Sequence, residues 1–150
     1  MRESTRDANI RLLNERLKTF DVAMLTTINT RDGSLHSRPM MTSNADFDGT
    51  LWFFSKFSSA KVDEIRSGSQ VNLSYTAPAA GRYISVSGAA YVVPDRMKME
   101  ELWDESFRAW FPQGIDEPDL VLLRVDVMGA DVWDTEHKEI GASLNFTSGV

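Results

Sequence analysis

The chain has 150 residues, 42% of them hydrophobic and 25% charged, with a formal net charge of −6 at pH 7; this fits one globular domain, taken as residues 1–150. The acidic balance, with no clustered basic face, argues against nucleic acid as a partner, and no apolar run approaches the roughly 20 residues of a bilayer span. Zero cysteines exclude disulfides, thiol nucleophiles and thiolate metal sites.

The first residues, Met1 to Asp7, hold no apolar signal core, so a cytoplasmic setting is the expectation. Residues 4–20 are predicted as a helix. Ser4 and Asp7 fit a capping box, and Ile10, Leu13, Leu17 and Phe20 recur at helical spacing. Residues 21–28 form a strand candidate, and Arg31-Asp32-Gly33-Ser34 supplies a hairpin turn. The next strand begins near Leu35 and includes Arg38. Pro39 has no N–H to give to a ladder, so this strand is expected to lie at a sheet edge or to be irregular. Alternation puts Arg38, Met40 and Thr42 on one face, joined by His36 if the register holds.

After a turn at residues 44–49, Leu51-Trp52-Phe53-Phe54 reads as the hairpin partner of the Arg38 strand. A polar corner, Ser55-Lys56-Phe57-Ser58-Ser59-Ala60-Lys61, then opens a short helix over residues 60–67, closed by Gly68. The sign of one charge matters here. A helix N-terminus carries unpaired N–H groups and partial positive charge, so acidic side chains are favoured there. With Ser58 or Ser59 as the cap, Lys61 falls in the first turn, where a cation is disfavoured. Serine hydroxyls, free amides, Lys61 and a bidentate Arg38 from the neighbouring strand would together make an anion site. The same residues also fit a plain serine cap beside a solvated lysine, and the local pattern does not choose between the two.

Residues 70–76 are a fourth strand, and residues 82–93 a long alternating one in which Gly88 marks a bulge or bend. A long kinked strand among several hairpins favours a barrel over a flat sheet. Pro94-Asp95 open a helix on which Met99, Leu102, Trp103, Phe107, Trp110 and Phe111 form one broad apolar stripe. That stripe packs on the core, covers a barrel end or meets a second subunit. Residues 120–127 are the most strand-like run, with a turn or bulge at 128–130 before 131–134. The polar tail, 136–150, is expected to be loosely held. The order is α+β, with antiparallel hairpins dominant and about six strands.

Recognisable catalytic patterns are missing. His36 and His137 have no triad setting, no His/carboxylate cluster has evident metal spacing, and neither a P-loop nor a glycine-rich dinucleotide fingerprint occurs. Any chemistry is therefore expected from a bound cofactor.

Four motifs, in order, resemble the pyridoxamine 5′-phosphate oxidase-like superfamily, and within it the bacterial general stress protein branch (the general stress protein 26 family). They are Ser37-Arg38-Pro39-Met40; residues 51–62, beginning Leu51-Trp52-Phe53-Phe54 and including Ser55, Ser59 and Lys61; Gly81-Arg82-Tyr83-Ile84 with the run to Ala90; and Phe107-Arg108-Ala109-Trp110-Phe111-Pro112-Gln113-Gly114. The resemblance spans residues 8–135 and implies a split β-barrel, usually a homodimer with FMN in clefts at the subunit interface. It implies that Arg38 and Lys61 hold the FMN phosphate and that Ser55 and Ser59 donate to it. Met40, Met41 and Phe54 would lie along the flavin, and Trp110 would approach the ring from the partner subunit. FAD would fit if the cleft is open at its phosphate end. The oxidases that make pyridoxal phosphate usually carry Ser-Arg-Lys at the corner, where this chain has Ser59-Ala60-Lys61, and they have a C-terminal Arg/His segment that this chain lacks. Vitamin B6 oxidation is thus disfavoured. A flavin-dependent oxidoreductase of unspecified substrate, or a flavin-binding stress protein without turnover, is the expectation.

Overall fold

The computed structural model describes residues 3–43, 45–58, 65 and 69–147. Helix α1, Thr5–Leu17, starts where the sequence indicates, with Ser4 Oγ accepting from the Asp7 amide at 3.0 Å. Its buried face carries Leu13, with Ile10 and Leu17 packed against the same core. The strands are β1 Val22–Ile28, β2 Leu35–Met41, β3 Thr50–Lys56, β4 Gln70–Ala77, β5 Arg82–Val93, β6 Leu120–Asp134 and β7 Glu139–Asn145. Helix α2, Arg96–Leu102, lies between β5 and β6.

All the strand pairs are antiparallel, in the order β2-β1-β4-β5-β6-β3, and β7 also pairs with β6. The two end strands, β2 and β3, come back into contact without pairing, so the sheet curls into a split barrel. Its inner face holds the main core, including Leu25, Phe53, Leu73, Val86 and Val125.

β1 and β2 form the expected hairpin, with Ile28 opposite Leu35 and Gly33 at φ +74° in the turn. Leu51 to Phe54 do not form the hairpin partner of β2, however. β3 pairs with the start of β6, Phe53 opposite Leu123 and Phe54 opposite Leu122. Both segments are apolar on both faces, so they belong where the sheet is covered on both sides: Phe53 faces the main core, whereas Phe54 and Leu122 face a second cluster.

β6 can serve β3 along its first half and β7 along its second because it runs unbroken for 15 residues. The bulge expected at Gly88 is present. Ser87 pairs with Gly129 and Gly88 with Val127, which leaves Met128 as the extra residue. A Cβ on Gly88 would lie 2.4 Å from the Asp126 carbonyl oxygen, so the strands approach there only because that side chain is missing.

Two further expectations are corrected. The stripe from Met99 to Phe111 is not one helix: α2 ends at Leu102, Trp103 is extended with ψ 136°, and a 3₁₀ turn, Glu105–Ala109, follows. Asp104 causes the restart, its carboxylate accepting from the Ser106 amide at 2.9 Å as a new cap. Nor is the polar tail loose through residue 147. β7 lies within residues 136–147, and Phe146, 2% exposed, meets Phe47 edge-on with centroids 5.6 Å apart. Alternating polar residues hid this strand, because its outer face is solvated. The helix expected over residues 60–67 and its closing Gly68 lie outside the described residues except for Ile65, which is buried.

Candidate functional site

Five antiparallel steps separate β2 from β3, so these strands run in opposite directions across the split. Between them is a cleft of about 240 Å³. Pro39, Met40, Met41 and Ser43 form one wall, and Trp52, Phe54, Ser55 and Lys56 the other. Phe107, Trp110 and Phe111, beyond α2, form the third side.

Met40, Met41, Phe54 and Ser55, singled out from the sequence, meet in one place; Trp110, expected to reach the ring from a partner subunit, stands instead at the cleft of its own chain. Met40, Phe54 and Ser55 are almost fully buried, whereas Trp110 is 43% exposed. Phe54 is fixed by rings on three sides, Trp103, Phe107 and Phe111, at centroid distances of 5.4, 5.5 and 6.5 Å. The walls are flat, apolar and polarizable, with two serine hydroxyls among them, which suits a planar ring system carrying a few polar atoms.

Arg38 is not part of the cleft lining. Its partly buried guanidinium Nη1 donates to Thr27 Oγ1 at 2.6 Å and lies 3.4 Å from the Leu25 carbonyl. Thr27 is 0% exposed, so Arg38 is tethered along the inner face of β1 beside the cleft. Ser59 and Lys61 lie outside the described residues. Ser58 does not present itself to a ligand: its hydroxyl donates to Asp119 Oδ2, and its amide points at Oδ1 of the same carboxylate at 3.2 Å. An internal anion thus already uses one of the two serines proposed as the cap.

Sequence reasoning missed Thr27, Ser43, Trp52 and Lys56. An inward-facing threonine within an apolar strand was the available signal for Thr27. The others lie on the two strand ends that only the split brings together.

A second polar cluster lies under the β6–β7 turn. Asp134, 1% exposed, accepts from His137 Nδ1 at 2.9 Å and from the Glu136 and His137 amides at 3.1 and 3.3 Å. Arg82 Nε stands 3.5 Å away and Arg16 Nε 3.7 Å away. Burial by itself would push the Asp134 carboxyl up, but the His137 hydrogen bonds and the Arg82 charge outweigh it and hold the group below its ordinary value. The hydrogen bond with Glu139 raises Arg16 above its ordinary value, against the opposing effect of burial. Although no His/carboxylate cluster was evident from spacing in the sequence, ligand atoms of Asp134, Glu136 and His137 lie within 4.8 Å of one another. Arg82 pairs with both Asp134 and Glu136 and fills the role a cation would take, so this is an internal salt-bridge cluster.

A curled antiparallel sheet, split between β2 and β3 and flanked by short helices, defines the class as an α+β split barrel. The chain belongs to the pyridoxamine 5′-phosphate oxidase like family, whose model matches residues 8–150. It is 26% identical over 153 residues to protein bli-3 of Neurospora crassa, covering 96% of this chain and 73% of that protein. Among solved structures, it is similar to the general stress FMN/FAD binding protein of Xanthomonas citri, at 26% identity and a TM-score of 0.70, covering 95% of this chain and 92% of that one. A general stress protein 26-related protein of Clostridium acetobutylicum shares the fold at 18% identity and a TM-score of 0.76, covering 92% and 94% of the two chains.

Proposed function

We propose that this chain is a flavin-binding general stress protein that holds FMN in the cleft between β2 and β3 and acts as a flavin-dependent oxidoreductase. The observation that carries this reading is the convergence of Met40, Met41, Phe54, Ser55 and Trp110 on one cleft. Its support from outside the chain is the similar Xanthomonas citri protein, described as FMN/FAD binding. The fit of the donor set is good at the ring end. Methionine and aromatic side chains offer flat contact area, and Ser43 adds a hydroxyl to the lining. Arg38 would serve the phosphate, together with Ser55, Ser59 and Lys61.

When bound, the flavin supplies hydride or electron exchange. The chain's part is to bind and orient it. The Phe54 wall, fixed by three other rings, sets the plane, and Thr27 holds the Arg38 guanidinium at the side. The apolar lining keeps water from the buried side of the cleft.

At about 240 Å³ the cleft is smaller than the roughly 300–1,000 Å³ of common ligand sites, and Trp110 is half-exposed at its mouth. The reading therefore includes a homodimer in which a second copy completes the wall, in a cytoplasmic setting. No described helix is long and apolar enough to cross a membrane.

One observation favours a second reading, a flavin carrier without turnover: Lys56 is the one titratable side chain among the described residues that line the cleft. Absorbance spectra of the purified protein before and after adding FMN and FAD test binding and preference. A flavin spectrum unaltered by the protein would overturn both readings. Anaerobic NAD(P)H then separates them, with rapid bleaching supporting the enzyme and persistent colour the carrier.

A further inference from the structure

A larger cavity, about 330 Å³, opens on the other side of the Ser43–Trp52 wall, between the end of α1, the end of β2 and β3. It shares only those two residues with the cleft. Its deep part is aromatic, with Phe20, Phe47, Phe53 and Tyr75 among the lining. Tyr75, on β4, is 1% exposed and meets Phe20 edge-on at 5.5 Å between centroids. Among the described residues its hydroxyl has no hydrogen-bond partner, although a buried phenol normally has one.

Two other polar groups of the wall are already used. Thr42 Oγ1 is bound to the Phe20 and Asp21 carbonyls, each at 3.0 Å, and Asn14 Oδ1 accepts from the Phe47 amide at 2.9 Å. Among the buried aromatic residues of the lining, Tyr75 is the one with a hydroxyl to offer a guest. Burial pushes its phenol far up from the ordinary value, so it stays protonated and acts as a donor. At the mouth, Asp21 and Asp46 outnumber Lys18, which pairs with Asp46 at 3.5 Å; this balance disfavours an anion. A small, strongly hydrated cation would have to shed its water to reach the aromatic depth. An apolar cavity of about 150 Å³ suffices for benzene, so twice that space takes one substituted ring.

We propose that this cavity is a second small-molecule site, taking a neutral single-ring aromatic compound whose carbonyl oxygen accepts from Tyr75. Because it is separate from the cleft, its test requires no flavin. Acetophenone serves as the probe, titrated into the full-length protein while ring resonances are followed by NMR. The expected result is saturable binding, with shifts centred on Phe20, Phe53 and Tyr75. In Tyr75→Phe the affinity should fall about three- to tenfold, the range for one neutral hydrogen bond, without loss of thermal stability, since the hydroxyl serves no internal partner. Leu51→Phe narrows the cavity from its partly buried wall and should weaken binding in the same assay, which keeps the test open if Tyr75→Phe fails to fold. Absence of saturable binding, shifts centred elsewhere, or equal affinity in wild type and Tyr75→Phe would each overturn the proposal.

Discussion

Arg38 donates from Nη1 to the hydroxyl of Thr27, 2.6 Å away and sealed from solvent, across the β1–β2 hairpin. A guanidinium costs conformational entropy to immobilise, and here that cost is met in the fold before any ligand arrives. If Arg38 serves a flavin phosphate, Thr27 sets its aim. Arg38→Ala is expected to weaken FMN binding by roughly 1.5–3 kcal/mol, the range for hydrogen bonds to charged groups, and Lys61→Ala by a similar amount. Thr27→Val, which keeps the shape and removes the acceptor, should cost about 0.5–1.5 kcal/mol of the same affinity. Fluorescence titration of FMN measures all three, and identical curves for wild type and variants would remove the phosphate role.

Phe54 and Trp110 line the same cleft but differ in burial, which separates folding from binding. Phe54 is 7% exposed inside a cluster of rings, so Phe54→Ala is expected to cost about 3–5 kcal/mol of stability. Trp110 is 43% exposed, and Trp110→Ala should change stability by no more than about 0.5 kcal/mol while reducing flavin affinity. Urea melts run alongside flavin titrations make the comparison; a strong stability loss in Trp110→Ala would reassign it to packing.

The Asp134 cluster predicts a pH dependence of definite sign. Its carboxyl is held below the ordinary value of 3.8 in the folded chain. Its contribution is therefore fully present above that value and is lost as pH falls through the depressed folded one. Asp134→Asn should lower the urea midpoint at neutral pH, because Arg16 and Arg82 lose a shared partner. The gap between wild type and variant should close as pH falls from about 5 to about 2. A gap independent of pH would mean that packing, not charge, accounts for the loss.

Gly88→Ala tests the bulge. The added Cβ would meet backbone, the Asp126 carbonyl at 2.4 Å, which cannot swing aside as a side chain could. The expected cost is about 1–3 kcal/mol, visible as a lowered thermal midpoint. A stability equal to wild type would show that the strands can separate there without penalty.

Ending the chain after Lys138 removes β7 and Phe146, and with them the Arg6 bond to the Phe146 carbonyl at 3.0 Å. The truncated protein is expected to lose its cooperative thermal transition by circular dichroism. A sharp transition near that of the full chain would restore the expectation that this segment is loosely held.

Local signals were legible wherever one residue decides the backbone. Ser4 opening α1, Asp32-Gly33 turning the first hairpin, Pro39 on an edge strand and Gly88 at the bulge all follow from side-chain chemistry within a few positions. The antiparallel α+β class and five residues of the cleft followed from alternation and from family resemblance. Three features required the folded chain. β3 was assigned to the wrong partner because its true one lies some seventy residues onward, where burial on both faces, not proximity in sequence, selects the pairing. β7 was read as tail because a strand with one solvated face shows little apolar signal. Tyr75 and Thr27, polar groups inside the barrel, gained meaning only once closure removed them from water. Sequence sets the short-range geometry through φ, donors and caps; which strands enclose a cavity, and which polar groups are left facing it, depends on burial summed over the whole sheet.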